Sequence, residues 1–209
     1  MVDFFNITNF NLSVPELQEH ILAWVAAAGH NGPASARATD KFLASVRKEV
    51  NDIVRVRYKV DPKDAKVQTT PFALIRYLGR NRLSKWMSNS GIGCAFKKNG
   101  KGDAFWTLAN SKIDLRTVTR EKLCEFPNIG MKTASCFVLH SRPNQQMIGL
   151  DRHILSILRE THPEAPKQSP GSVKVYEKWE KVILEELVYP TELTPAEFDL
   201  KGWITKRSA

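Results

Sequence analysis

A chain of 209 residues is long enough to bury a core as one domain or as two lobes sharing a cleft. Its 42% apolar and 25% charged residues exclude general disorder, and no apolar stretch approaches the roughly 20 residues of a membrane helix. Thirty-one Lys and Arg against 22 Asp and Glu leave a net charge of +9, a surplus that a polyanionic partner would compensate.

The first residues, Met-Val-Asp-Phe-Phe-Asn, are not a basic segment followed by an apolar run, so no secretory signal is expected. The three cysteines, Cys94, Cys124 and Cys136, form no C-x-x-C pair. So sparse a set argues against a disulfide framework and a structural zinc site. It fits a reducing intracellular setting: a bacterial cytoplasm or nucleoid, or the nucleus in a eukaryote.

The pattern is helical throughout. Pro15 to Ala28 reads as a helix with Leu17, Ile21, Leu22 and Val25 on one face and Pro15 in its first turn. Gly29-His30-Asn31-Gly32-Pro33 breaks the chain, and a second helix runs from about Ser35 into the fifties. From Val54 to Val60, apolar residues alternate with Arg55, Arg57 and Lys59. That is strand periodicity, and helix end and small hairpin both remain open for it. Phe72 to Ser88 is a further helix, Asn89 to Asp103 a glycine- and lysine-rich turn, and Phe105, Trp106 and Leu108 open a short apolar segment. Thr119 to Glu125 and Lys132 to His140 are two helices around a tight turn. Asp151 is suited to cap a helix ending at Arg159, and Tyr176 to Leu187 and Pro195 to Ile204 close the series.

The informative segment is Leu123-Cys-Glu-Phe-Pro-Asn-Ile-Gly-Met-Lys-Thr-Ala-Ser-Cys136. A helix, a sharp turn with Pro127 and Gly130, and a second helix leave backbone amides pointing outward at a helix N-terminus, where a phosphate is favoured. An αα-turn that only packs the core would use the same residues. Phe126-Pro-Asn-Ile-Gly-Met-Lys-Thr-Ala134 is followed by Leu150-Asp-Arg-His-Ile154, with Asp151 standing 19 residues after Lys132. This combination resembles the helix-hairpin-helix DNA glycosylase superfamily. That hairpin reads roughly Leu-Pro-Gly-Val-Gly-x-Lys-x-Ala, and an Asp, usually followed two residues later by His, lies slightly under twenty residues on. The resemblance is firm over about Thr119 to Arg159. Asp151-Arg-His-Ile-Leu155 and the C-terminal Glu197-Phe-Asp-Leu-Lys-Gly-Trp203 look like the short, archaeal-type 8-oxoguanine glycosylases.

The resemblance implies an all-α, two-lobed fold with the active site in the cleft between the lobes. The whole chain, 1–209, would be one glycosylase domain. About 1–30 and 146–209 would form one lobe, and about 31–145, containing the hairpin at 119–140, the other. It implies Lys132 as the nucleophile and Asp151 as the carboxylate that stabilises positive charge on the deoxyribose as the base departs. Attack needs the neutral amine, which burial and a helix N-terminus favour. The amides of Asn128, Gly130 and Thr133, with His153, resemble the family's phosphate contacts. Main-chain carbonyls of Cys124, Phe126 and Ile129 match a monovalent-cation position. No other cofactor is implied, and no cysteine follows Cys136 to supply the iron–sulfur cluster of some relatives. Cys136, Phe198 and Trp203 are candidates for the base pocket, with core packing the favoured role for Phe198 and an equal one for Trp203, and a small buried apolar role the alternative for Cys136. His30 and Asn31 are candidates for the wedge that fills the gap left by a flipped base. Lys97, Lys98, Lys101, Lys206 and Arg207 are either an extension of the basic surface or simply solvated charge, the latter being the favoured description.

Two departures bear on this reading. Asn128 stands where the family has its first hairpin glycine, and Asn is the next-best residue for positive φ. The chain ends Thr-Lys-Arg-Ser-Ala209 without the terminal lysine that assists base recognition in the archaeal-type enzymes. The expected activity is base excision with strand cleavage on double-stranded DNA, by a monomer with no membrane role, and 8-oxoguanine is the first candidate lesion. Another damaged base, such as an oxidised pyrimidine, remains open, and so does a non-catalytic DNA-binding module.

Overall fold

The computed structural model describes residue 2 and residues 10–62, 68–93 and 100–207; Lys97 and Lys98 lie outside the described residues, and so do the side chains of Lys206 and Arg207. The described residues are all-helical, with no strand among them. No helix among them is long and apolar enough to cross a membrane.

Two compact units divide the chain. The first comprises Ser13–Leu115 with Phe126–Asn128, and the second comprises Arg116–Glu125 and the chain from Ile129 onward. These bounds differ from the expected 1–30 with 146–209 against 31–145. The N-terminal helix packs on the three helices that follow it, and the hairpin's two helices go with the C-terminal part.

In the first unit, α1 (Val14–Ala27), α2 (Gly32–Tyr58), α3 (Pro71–Asn89) and α4 (Lys101–Asn110) pack together. The expected stripe of α1 is its buried face: Leu17, Ile21, Leu22 and Val25 are at most 2% exposed. They share the interior with Phe42 of α2, Ile75 of α3 and Phe105 of α4, and the Phe42 and Phe105 rings meet edge to face. The Val54–Val60 segment, left open between helix and hairpin, is helix as far as Tyr58. Val54 is buried one turn after Val50, whereas Val56 and Tyr58 face solvent. α3 bends at Gly79, whose φ of 68° no side chain tolerates well.

Lys101 corrects an expectation. It is buried, and its Nζ donates to the Ala26 carbonyl at 2.6 Å, so its charge satisfies the C-terminal end of α1 and adds nothing to a basic surface. Arg76 likewise donates to the Ala109 carbonyl at the end of α4.

In the second unit, α5 (Arg120–Cys124), α6 (Met131–Ser141), α7 (Arg152–Leu158), α8 (Val173–Ile183) and α9 (Pro195–Arg207) are joined by a π-helical turn, Leu184–Val188, that continues α8. α9 lies against α6, α7 and the π turn. The interior here is Ile148, Leu150, Ile154, Leu155, Leu158, Tyr176 and Ile183, with Phe198 and Met131 packed on its margin.

Asn31, a wedge candidate, has a structural task in the first unit. It is the N-cap of α2, and its side-chain oxygen accepts from the Ala34 amide at 3.1 Å. Asn31→Ala is expected to cost about 1 kcal/mol of stability and Asn31→Asp almost nothing, read by denaturant unfolding.

Candidate functional site

The hairpin turn forms by the local means its sequence suggests. Thr119 caps α5, its side chain accepting from the Lys122 amide at 3.2 Å. Asn128 takes a φ of 59°, the left-handed conformation that glycine serves in the resembling motif and Asn tolerates next best. Gly130, exposed and in extended conformation, is the N-cap of α6. Having no side chain, it offers no cap to the amides of the first turn, where Met131, Lys132 and Thr133 stand. Asn128 and Phe126 fall in the first unit, and Gly130, Thr133 and Ile129 in the second. Cys124 is half-buried beside Met131, with their sulfurs 3.8 Å apart.

Asp151 is the N-cap of α7, as its position before Arg152 predicts. Its Oδ1 accepts from the amides of His153 at 2.7 Å and Ile154 at 2.9 Å. Burial pushes the carboxyl above its ordinary range, and the neighbouring Asp199 charge pushes it the same way. The Lys132 charge and the Ile154 amide oppose the shift. Asp151 therefore lies within electrostatic reach of both Lys132 and Asp199, in one unit. Because folded protein holds this proton more tightly than unfolded chain, Asp151 contributes stability below its ordinary value of 3.8 that is lost as pH rises through the raised one.

Asp199 is a residue that the sequence reading passed over, although it stands between Phe198 and Trp203. It is 9% exposed, and its Oδ2 lies 2.9 Å from Nε2 of the fully buried His140. Helical spacing brings both groups inward, but nothing in either local sequence pairs residues 59 apart. Cys136 shares this neighbourhood. Burial pushes its thiol well up, and Asp199 adds to the shift. Between them runs Gly149: a Cβ there would fall far inside contact distance of Cys136 Sγ and 3.6 Å from Asp199 Oδ1.

Of the other pocket candidates, Trp203 is half-buried, with its ring edge-to-face with His153 at 6.5 Å between centroids. Phe198 is packed on the core margin, as the competing reading had it. His30 and Asn31 are exposed and belong to the first unit, whereas the Lys132 and Asp151 group belongs to the second. Among the described residues, no group of three or more His, Cys, Asp or Glu is placed to hold a metal ion.

Asp151, Lys132, Asp199 and Cys136 thus share one neighbourhood in the second unit, and Trp203 stands against His153. The close passage of Gly149 has a measurable consequence. Gly149→Ala should destabilise by about 1–3 kcal/mol through overpacking. Adding Cys136→Ala, which removes the sulfur in the way, should recover part of that loss, a coupling above about 0.5 kcal/mol in a double-mutant cycle of unfolding free energies.

No protein-family model matches this chain, and searches of curated proteins and of solved structures return no significant match.

Proposed function

We propose that the protein is a DNA glycosylase with strand-cleaving lyase activity, excising an oxidised base through Lys132 and Asp151. The observation that carries this reading is the placement of Asp151. It is a largely buried carboxylate fixed by two backbone amides, within electrostatic reach of a lysine at the first turn of the hairpin's second helix.

On this reading the phosphate backbone meets the uncapped first turn of α6, and His153 adds a side-chain contact. The damaged base, flipped from the stack, enters beside Cys136, with Trp203 as its stacking face and Asp199 as a hydrogen-bond acceptor at its edge. As the glycosidic bond lengthens, Asp151 faces the positive charge growing on the sugar. The Lys132 amine attacks C1′, forming a C–N bond as the base leaves with the bond's electron pair. The new C–N nitrogen gives up a proton, and the C1′–O4′ bond breaks with its electron pair going to O4′, which takes up that proton, so that a protonated Schiff base forms. Loss of a proton from C2′ then expels the 3′ phosphate with the C3′–O electron pair and breaks the strand. Oxidised purines are favoured over pyrimidines only through the resemblance to the archaeal-type enzymes, with 8-oxoguanine the first to assay.

A panel of duplexes carrying single defined lesions, assayed with and without borohydride, tests the proposal. Wild type should excise at least one oxidised base and form a trapped protein–DNA adduct, and Lys132→Gln should form none. Trapping at wild-type level by Lys132→Gln removes the nucleophile assignment, and no excision across the panel removes the function.

A further inference from the structure

A buried polar cluster on α8 has no part in the chemistry above, yet every member touches the backbone or the helices that carry it. Tyr176, fully buried, accepts from the Leu150 amide and donates to the Ile148 carbonyl, both at 2.9 Å. One turn on, Glu180 accepts from the Ile148 amide at 3.0 Å. It also receives Arg120 Nη1 at 2.7 Å from each of its oxygens. Arg120 is the first residue of α5, and the same nitrogen lies 3.4 Å from Ser135 Oγ on α6. One helix face thus holds three polar groups of the non-helical run Ile148–Leu150 and the start of α5, whose Arg120 also reaches a serine one turn beyond Lys132.

We infer that Tyr176 and Glu180 are positioning residues for the reaction: they fix the Ile148–Leu150 backbone, and through it the place of Asp151 relative to Lys132. The inference rests on the proposed function for its catalytic part only. Leu150 adjoins Asp151, whose own amide donates to the Gly149 carbonyl at 2.6 Å, so the carboxylate's origin is set by a backbone pinned on both sides. A buried segment outside any helix has no ladder to satisfy its amides and carbonyls, and α8 side chains take that place for Ile148 and Leu150. The groups suit a permanent grip. Burial pushes the Tyr176 phenol far above its ordinary value, so it stays a donor at every working pH. Burial acts against the Arg120 charge, but the Glu180 carboxylate outweighs it and holds the guanidinium above its ordinary value.

A core position would show a loss of stability when altered. A positioning residue should also move the signals of the group it positions. Tyr176→Phe keeps the ring and removes the hydroxyl. Two readouts apply: the amide proton resonances of His153 and Ile154, which report their bonds to Asp151, and single-turnover excision on the lesion duplex that wild type cleaves. In Tyr176→Phe both amide signals should shift upfield and excision should slow at least tenfold. Affinity for a duplex with a tetrahydrofuran abasic analogue should stay within twofold. Ile183→Val, a buried change on the same helix, should lower the melting temperature without either effect. If Tyr176→Phe does not fold, Glu180→Gln takes its place with the same expectations. Unmoved amide signals overturn the inference, and so does the same pattern in Ile183→Val. If wild type excises nothing, the proposed function falls and the amide signals alone decide the positioning.

Discussion

The arrangement depends on one carboxylate doing two things. Asp151 closes the N-terminus of α7 through the amides of His153 and Ile154, and the same two bonds hold it where it meets Asp199 and Lys132. A carboxylate at a helix N-terminus is an ordinary stabilising feature when exposed. Burial and a second carboxylate make it costly, and the site retains it nonetheless. The helix dipole and two amides offset that cost. What remains is a carboxylate fixed in direction by two backbone amides, and under the proposed function that is the preorganised charge the reaction would use.

The supports of that charge come from far along the chain. α9 supplies Asp199, which is tied to His140 on α6. α8 supplies Tyr176 and Glu180, which hold the backbone leading to Asp151. Gly149 lets that backbone pass Cys136 and Asp199 with no Cβ in the way. Asp151 thus stands at the start of a seven-residue helix, and α8 and α9 supply the side chains that hold its surroundings.

Features governed by neighbours in sequence could be read from the sequence. The hairpin followed from Pro127 and Gly130, the cap of α7 from Asp151 before an apolar helix, and the left-handed turn from Asn128. Features governed by packing could not. The alternation at Val54–Val60 imitates a strand, yet α2 simply runs on past its last buried residue, and Val56 and Tyr58 reach solvent on its free end. Lys101 looked like surface charge in a lysine-rich turn, but the end of α1 offered it a carbonyl to hold. The Asp199–His140 and Glu180–Arg120 pairs join residues 59 and 60 apart, and no local pattern announces such a partner.

Under the proposed function, Asp151 serves the reaction through its charge and the fold through its shape. Asp151→Asn separates the two, since asparagine caps a helix about as well as aspartate but carries no charge. Unfolding free energy and single-turnover excision should be measured on the same preparation. The account predicts a variant as stable as wild type, or more so, whose excision falls by about a hundredfold or more. A stable Asp151→Asn protein that excises at the wild-type rate would contradict it.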